Sequence, residues 1–137
     1  MWFRRKEVPW EVVDHKSVEQ VPMYDEDEEI DVVRMSDNLM SYTYMHDIHN
    51  SKDMQNAIRT ARYFLMQNMA LKHYNILVSE GWRVTILRKG KSYRVEVTYS
   101  GRPAYAIGKL ESHPAPPFME VLEFYRRDLA IGCTSQR

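Results

Sequence analysis

Gly81-Trp82-Arg83-Val84-Thr85-Ile86-Leu87-Arg88-Lys89-Gly90-Lys91-Ser92-Tyr93-Arg94-Val95-Glu96-Val97-Thr98 is two alternating runs joined by a short basic break. Val84 and Ile86 alternate with Arg83, Thr85 and Leu87; Val95 and Val97 alternate with Arg94, Glu96 and Thr98. A period of two is that of a strand with one buried face. Arg88–Ser92 then reads as a hairpin loop in which Gly90 is free to take a positive φ. Ser100-Gly101-Arg102-Pro103 reads as a second turn, leading to a third strand around Ala104–Leu110.

Upstream of this meander the period changes. Met54, Ala57, Ile58, Ala61, Phe64, Leu65 and Met69, and then Ile76 and Leu77, recur at helical spacing, which gives one long helix with a buried stripe. Asn50 or Ser51 caps its start, Asp53 suits its first turn, and Gly81 suits a left-handed cap at its end. Downstream, His113-Pro114-Ala115-Pro116-Pro117 is a rigid connector, and Phe118, Val121, Leu122, Tyr125 and Leu129 form a second amphipathic stripe. The expected fold is α+β in the order α-β-β-β-α: a long helix, a three-stranded antiparallel meander and a C-terminal helix within residues 51–132. Residues 1–50 are expected as an acidic, partly extended segment, and residues 133–137 as a tail.

The N-terminal segment differs in composition. Trp2, Phe3, Val8, Trp10, Val12 and Val13 are scattered among charges, and Asp25–Glu29 is an unbroken acidic block. A short strand or a helix turn is expected near Glu29–Arg34, and another short strand near Ser41–His46. Such acid blocks are usually solvated interaction segments, yet the tryptophans and valines argue against a wholly disordered arm. A segment that wraps over its own domain or over a partner reconciles the two.

Formal charge is zero, but it is unevenly laid out. Residues 1–50 hold five Lys/Arg against twelve Asp/Glu, whereas residues 82–110 hold seven against one. The bland reading is that opposite charges solvate separate faces, or that the acidic segment lies against the meander. The sharper one is that Arg83, Arg88, Lys89, Lys91, Arg94 and Arg102 form a phosphate-binding patch for RNA or DNA, with Tyr93, Tyr99 and Tyr105 placed to stack on bases. The acidic segment would then be a possible cover. The order helix, three strands, helix resembles that of double-stranded-RNA-binding domains. The loop Arg88–Ser92 and the opening Pro117-Phe118-Met119-Glu120 lack the phosphate-holding motifs of that family, so membership does not follow.

Other chemistry is sparse. His46 and His49, three residues apart, would share a helical face and with Asp47 or Asp53 are weak candidates for a metal, though zinc wants three or four ligands. Cys133 is the single cysteine, so no disulfide framework exists, which fits an intracellular setting. The start lacks the apolar core of a secretory signal, and no apolar run is long enough to span a membrane. No phosphate-cradling glycine loop, nucleophile elbow or paired-cysteine zinc pattern is present. An enzyme is therefore the less expected class, and no cofactor is expected. Nine methionines and 12% aromatic residues suit adaptable contact surfaces as well as cores. Trp2, Trp10 and Tyr63 are the candidate partner-binding residues. The leading expectation is a small non-catalytic interaction protein, a regulator, inhibitor or accessory subunit, that binds another protein or a second copy of itself; a nucleic-acid-binding module using the hairpin 82–102 is the alternative.

Overall fold

The computed structural model describes residues 9–25, 28–50, 52–108 and 116–119. The element order is β1 (Glu11–Pro22), β2 (Ile30–Met35), β3 (Met40–Ile48), α1 (Lys52–Leu71), β4 (Ile76–Lys89) and β5 (Ser92–Gly108). All five strands join one antiparallel sheet, in the order β1-β4-β5-β2, with β3 also on β5. The expected α-β-β-β-α order is thus wrong, and so is the α+β description in that sense: the protein is predominantly β with one described helix. The second amphipathic stripe lies outside the described residues apart from Phe118.

Three misreadings account for the difference. Residues 11–48 supply three strands of the sheet. β2 lies where a short strand or helix turn was expected near Glu29–Arg34, and β3 where a short strand was expected near Ser41–His46, whereas β1 occupies a stretch expected only as part of an acidic, partly extended segment. Their polar composition follows from their position: β1 lies along one margin of the sheet, β2 and β3 along the other, and most of their side chains are exposed. A margin strand buries little, so its apolar alternation is faint.

Ser100–Pro103 is not a turn. β5 runs through it unbroken for 17 residues. Gly101 is the last residue paired with β3, at Met40, and Ala104 the first paired with β2, at Met35. Pro103 therefore falls in the gap between two partners on that side, and beside a bulge between Leu77 and Ser79 on the other. A proline without a ladder N–H is tolerated at such a place. The helix, finally, stops at Leu71 rather than continuing to Ile76 and Leu77, which open β4. His73, at φ 66°, takes the left-handed cap position that had been expected of Gly81, and the N–H of Tyr74 donates to the Met69 carbonyl at 3.1 Å.

Gly81 instead sits buried inside β4 at a bulge of β1 between Val18 and Val21. A Cβ there would stand 2.7 Å from the Val18 carbonyl oxygen, so glycine marks a close backbone approach and not a chain reversal. Gly90 behaves as its sequence suggests. It occupies the first position of the two-residue β4–β5 loop at φ 61°, with Lys89 paired to Ser92.

The helix covers one face of the sheet. Met54, Ala57, Ile58, Ala61, Leu65 and Met69 are buried against Trp82, Val84, Ile86, Val95, Val97 and Tyr99. Val84, Ile86, Val95 and Val97 do turn to the helix, as their alternation requires. Asn50 and Asp53 cap α1 reciprocally: the Lys52 N–H donates to Asn50 Oδ1 at 2.9 Å, and the N–H groups of His49 and Asn50 donate to Asp53 Oδ2 at 2.7 and 3.1 Å. Residues 116–119 return to this core, where the Trp82 indole donates to the Pro117 carbonyl at 2.8 Å and Met119 packs alongside. A smaller cluster of Ile76, Ala104 and Ala106 with Tyr24, Ile30 and Val78 closes the β2 end.

Candidate interaction surface

The orientation of α1 is fixed by a buried ionic contact. Glu80 projects from β4 into the covered face with its side chain 2% exposed, and Arg62 reaches it from the helix, Nε to Oε1 at 2.5 Å and Nη2 to Oε2 at 3.3 Å. The Tyr99 hydroxyl donates to the same Oε1 at 2.5 Å. Burial alone would lower the Arg62 guanidinium, but its hydrogen bond and charge interaction with Glu80 outweigh that and hold it above its ordinary range. Burial first, and then the Glu80 charge and hydrogen bond, push the Tyr99 phenol far up. Tyr99 thus stays protonated as a donor. This network reads as an anchor between helix and sheet.

Anchoring Arg62 on one flank of α1 sets what the other flank presents. Phe64 stacks on Tyr42 of β3 with ring centroids 5.2 Å apart, and lies tilted against Tyr44 at 6.3 Å. Tyr63 meets Phe64 edge-on at 5.6 Å, and Tyr44 stacks on His46 at 5.9 Å. Tyr42, Tyr44 and His46 share the helix side of β3, so these rings form one aromatic ridge. Tyr63 is 58% and Phe64 37% exposed.

The ridge runs beside a strand at the margin of the described sheet. β3 pairs with β5 over nine consecutive residues with no register shift, and no described strand pairs with its other side. Edge strands are normally blunted by bulges, prolines or lysines. The opposite margin of the sheet shows these devices: β1 has two bulges, carries Lys16 and ends at Pro22. β3 has none of them, and the charged groups in it are Asp47 and, when protonated, His46.

The sequence-predicted basic residues are divided by the fold. Arg88, Lys89 and Lys91 stand at the β4–β5 hairpin end, Arg88 at 3.5 Å from Glu11. Arg94 donates from Nε to Asp47 at 3.1 Å and lies 4.3 Å above the Trp10 ring. Arg102 is far from the hairpin and donates to the carbonyls of Ser36 and Asp37 at 3.0 and 2.9 Å, holding the β2–β3 connection. Arg83 lines a cleft of about 400 Å³ on the open face with His15, Ser17, Gln20, Thr98 and Ser100. Trp10, His49, Lys91 and Arg94 line a second hollow of about 310 Å³. Trp2 lies outside the described residues.

His46 is in strand β3 and His49 beyond its end, so the helical spacing that would join their rings does not apply. Among the described residues no three His, Cys, Asp or Glu side chains form a metal-holding group. Within the described residues, too, no helix is long and apolar enough to cross a membrane. Of the rings in this ridge the sequence singles out Tyr63 as a candidate contact residue, and not Phe64, Tyr42 or Tyr44. The available signal was the alternation of Tyr42, Tyr44 and His46, next to an aromatic pair at the flank of the helical stripe. No family model, curated protein or solved structure matches this chain.

Proposed function

We propose that this chain is a small, non-catalytic intracellular interaction protein that binds a protein partner along β3 and the adjoining ridge of Tyr42, Tyr44, Tyr63 and Phe64. One observation carries the reading: a bulge-free, sparsely charged edge strand flanked by exposed aromatic rings. Unpaired N–H and C=O groups along such an edge template strand addition, and aromatic residues are the usual anchors of binding surfaces. The alternative polyanion site draws on fewer free cations than the sequence suggests. Arg94 is paired with Asp47, Arg102 is bonded to backbone carbonyls, and Arg88 faces Glu11.

The test compares affinity capture by the wild-type chain and by Tyr63→Ser/Phe64→Ser, with circular dichroism as a control for folding. A protein held by the wild type and lost from the folded variant supports the reading. Identical captured sets overturn it.

A further inference from the structure

We infer that the occupant of the β3 edge is a second copy of this chain, paired β3 to β3 antiparallel about a two-fold axis at Tyr44. The inference rests on the reading of this edge as the binding surface and specifies what fills it.

Three observations favour a second copy over an isolated strand. First, β3 is self-complementary. With Tyr44 on the axis, all nine residues Met40–Ile48 find partners, and side chains on the same face of the sheet stay opposite one another. Met40 meets Ile48 of the other copy, Tyr42 meets His46, Ser41 meets Asp47, and Thr43 meets Met45. Asp47 therefore faces a serine hydroxyl rather than its own like charge, and it is already balanced by Arg94.

Second, the edge is open on both faces. Met45 is 45% exposed on one, and Tyr63 and Phe64 stand exposed on the other. A single added strand satisfies the ladder but leaves the aromatic rings of the helix uncovered. A two-fold axis perpendicular to the sheet instead brings the second helix to the same side.

Third, the spacing fits. The helix packs on both β3 and β5, and strands lie about 4.8 Å apart. Two helices each centred over a β3–β5 seam then stand about 10 Å apart across the joint, near the packing distance of two helices. Phe64, over Tyr42 and Tyr44, falls next to the axis. Thr60, Gln67, Asn68 and Leu71, a turn or two from Phe64, are uncharged and offer no repulsion to a copy of themselves.

The experiment is sedimentation equilibrium of the full chain across the micromolar range, on the wild type and on a charge-swap pair. Thr43→Lys/Met45→Lys sets like charges against each other at two symmetric positions; Thr43→Glu/Met45→Glu does the same with the opposite sign. The expected result is a wild-type dimer, a monomer for each variant alone, and a dimer on mixing the two. Restoration on mixing also shows that both variants are folded. Should they not fold, hydrogen exchange on the wild type decides. Protection of the amides in 41–47 that rises with protein concentration supports the pairing, and concentration-independent exchange overturns it. A monomeric wild type overturns the second copy alone, and capture of another protein lost on Tyr63→Ser/Phe64→Ser keeps the edge as a binding surface. A dimer that persists in folded charge-swap variants overturns the β3 interface itself.

Discussion

The two faces of the sheet are built on opposite plans. Among the described residues the covered face is almost wholly apolar, and its one buried carboxylate, Glu80, is held by the partly buried Arg62 and the buried Tyr99. The open face is a field of short polar links: Thr43 with Thr98 at 3.1 Å, Gln20 with Ser100 and Ser79 at 2.8 Å each, and Arg94 with Asp47 at 3.1 Å. On the first face a polar group has no substitute partner. On the second, water can replace almost any of them. Loss of one link should therefore be costly on the covered face and nearly neutral on the open one.

Glu80→Ala tests this most severely. It leaves a largely buried guanidinium and a buried phenol without their shared acceptor, and we expect a loss of about 3–5 kcal/mol in urea unfolding. Arg62→Met/Glu80→Leu, which removes both charges, should recover most of that. If the single and double variants prove equally unstable, the penalty comes from lost packing and the contrast between the faces is not electrostatic.

Tyr99→Phe removes one donor and leaves Glu80 its two contacts with Arg62, so about 1.5–3 kcal/mol is expected. The same residue gives the network an alkaline signature. Its phenol has a higher pKa folded than its ordinary value of 10.0, so its contribution to stability is complete below that pH and is lost as pH rises beyond it. Thermal melts of the wild type should decline above that point, and those of Tyr99→Phe should decline less.

This contrast also explains what the sequence could and could not disclose. The covered face was legible: Val84, Ile86, Val95, Val97 and the stripe from Met54 to Met69 are apolar because burial demands it, and their periods name their elements. β1 was not, because it exposes both faces and owes its form to hydrogen bonds with β4, which leave no mark on composition; β2 and β3 showed only as short, faint runs near Glu29–Arg34 and Ser41–His46. Gly81, Gly101 and Pro103 misled for a related reason. They are breakers in isolation, but here they accommodate bulges and a change of partner, which depend on strands distant in sequence. The ridge was half visible, since Tyr63 stood out while the strand that brings Tyr42 and Tyr44 under Phe64 was only faintly patterned.

Gly81→Val probes the bulge where β1 crosses β4. Its branched side chain meets the Val18 carbonyl and the Gln20 amide, and about 1–3 kcal/mol should be lost as the backbone shifts. Gly90, with open space around its Cβ position, should by contrast respond only to its backbone angle, by about 1–2 kcal/mol on changing to Ala. Arg94→Ala on the open face breaks a pair whose side chains are 32% and 58% exposed, and less than about 1 kcal/mol is expected. Added salt should shrink even that difference. A larger, salt-insensitive effect would mean that the stacking of Arg94 on Trp10 matters more than its charge.

Lys89→Ala/Lys91→Ala marks the lower limit of the comparison. Both residues lie at the hairpin end and have no ion-pair partner among the described residues, so unfolding should be unchanged within measurement error. The pair is informative because it separates stability from binding. Fluorescence anisotropy of labelled single- and double-stranded RNA and DNA, at low and moderate salt, should show no rise if the hairpin is a solvated end. Phosphate contacts release counterions, so true binding there would weaken steeply with salt and would vanish in the double variant. That result would transfer function from the β3 edge to the hairpin. It would also require Arg88 to leave Glu11 for phosphate, so Glu11→Gln should then tighten binding, whereas a solvated hairpin would be indifferent to the change.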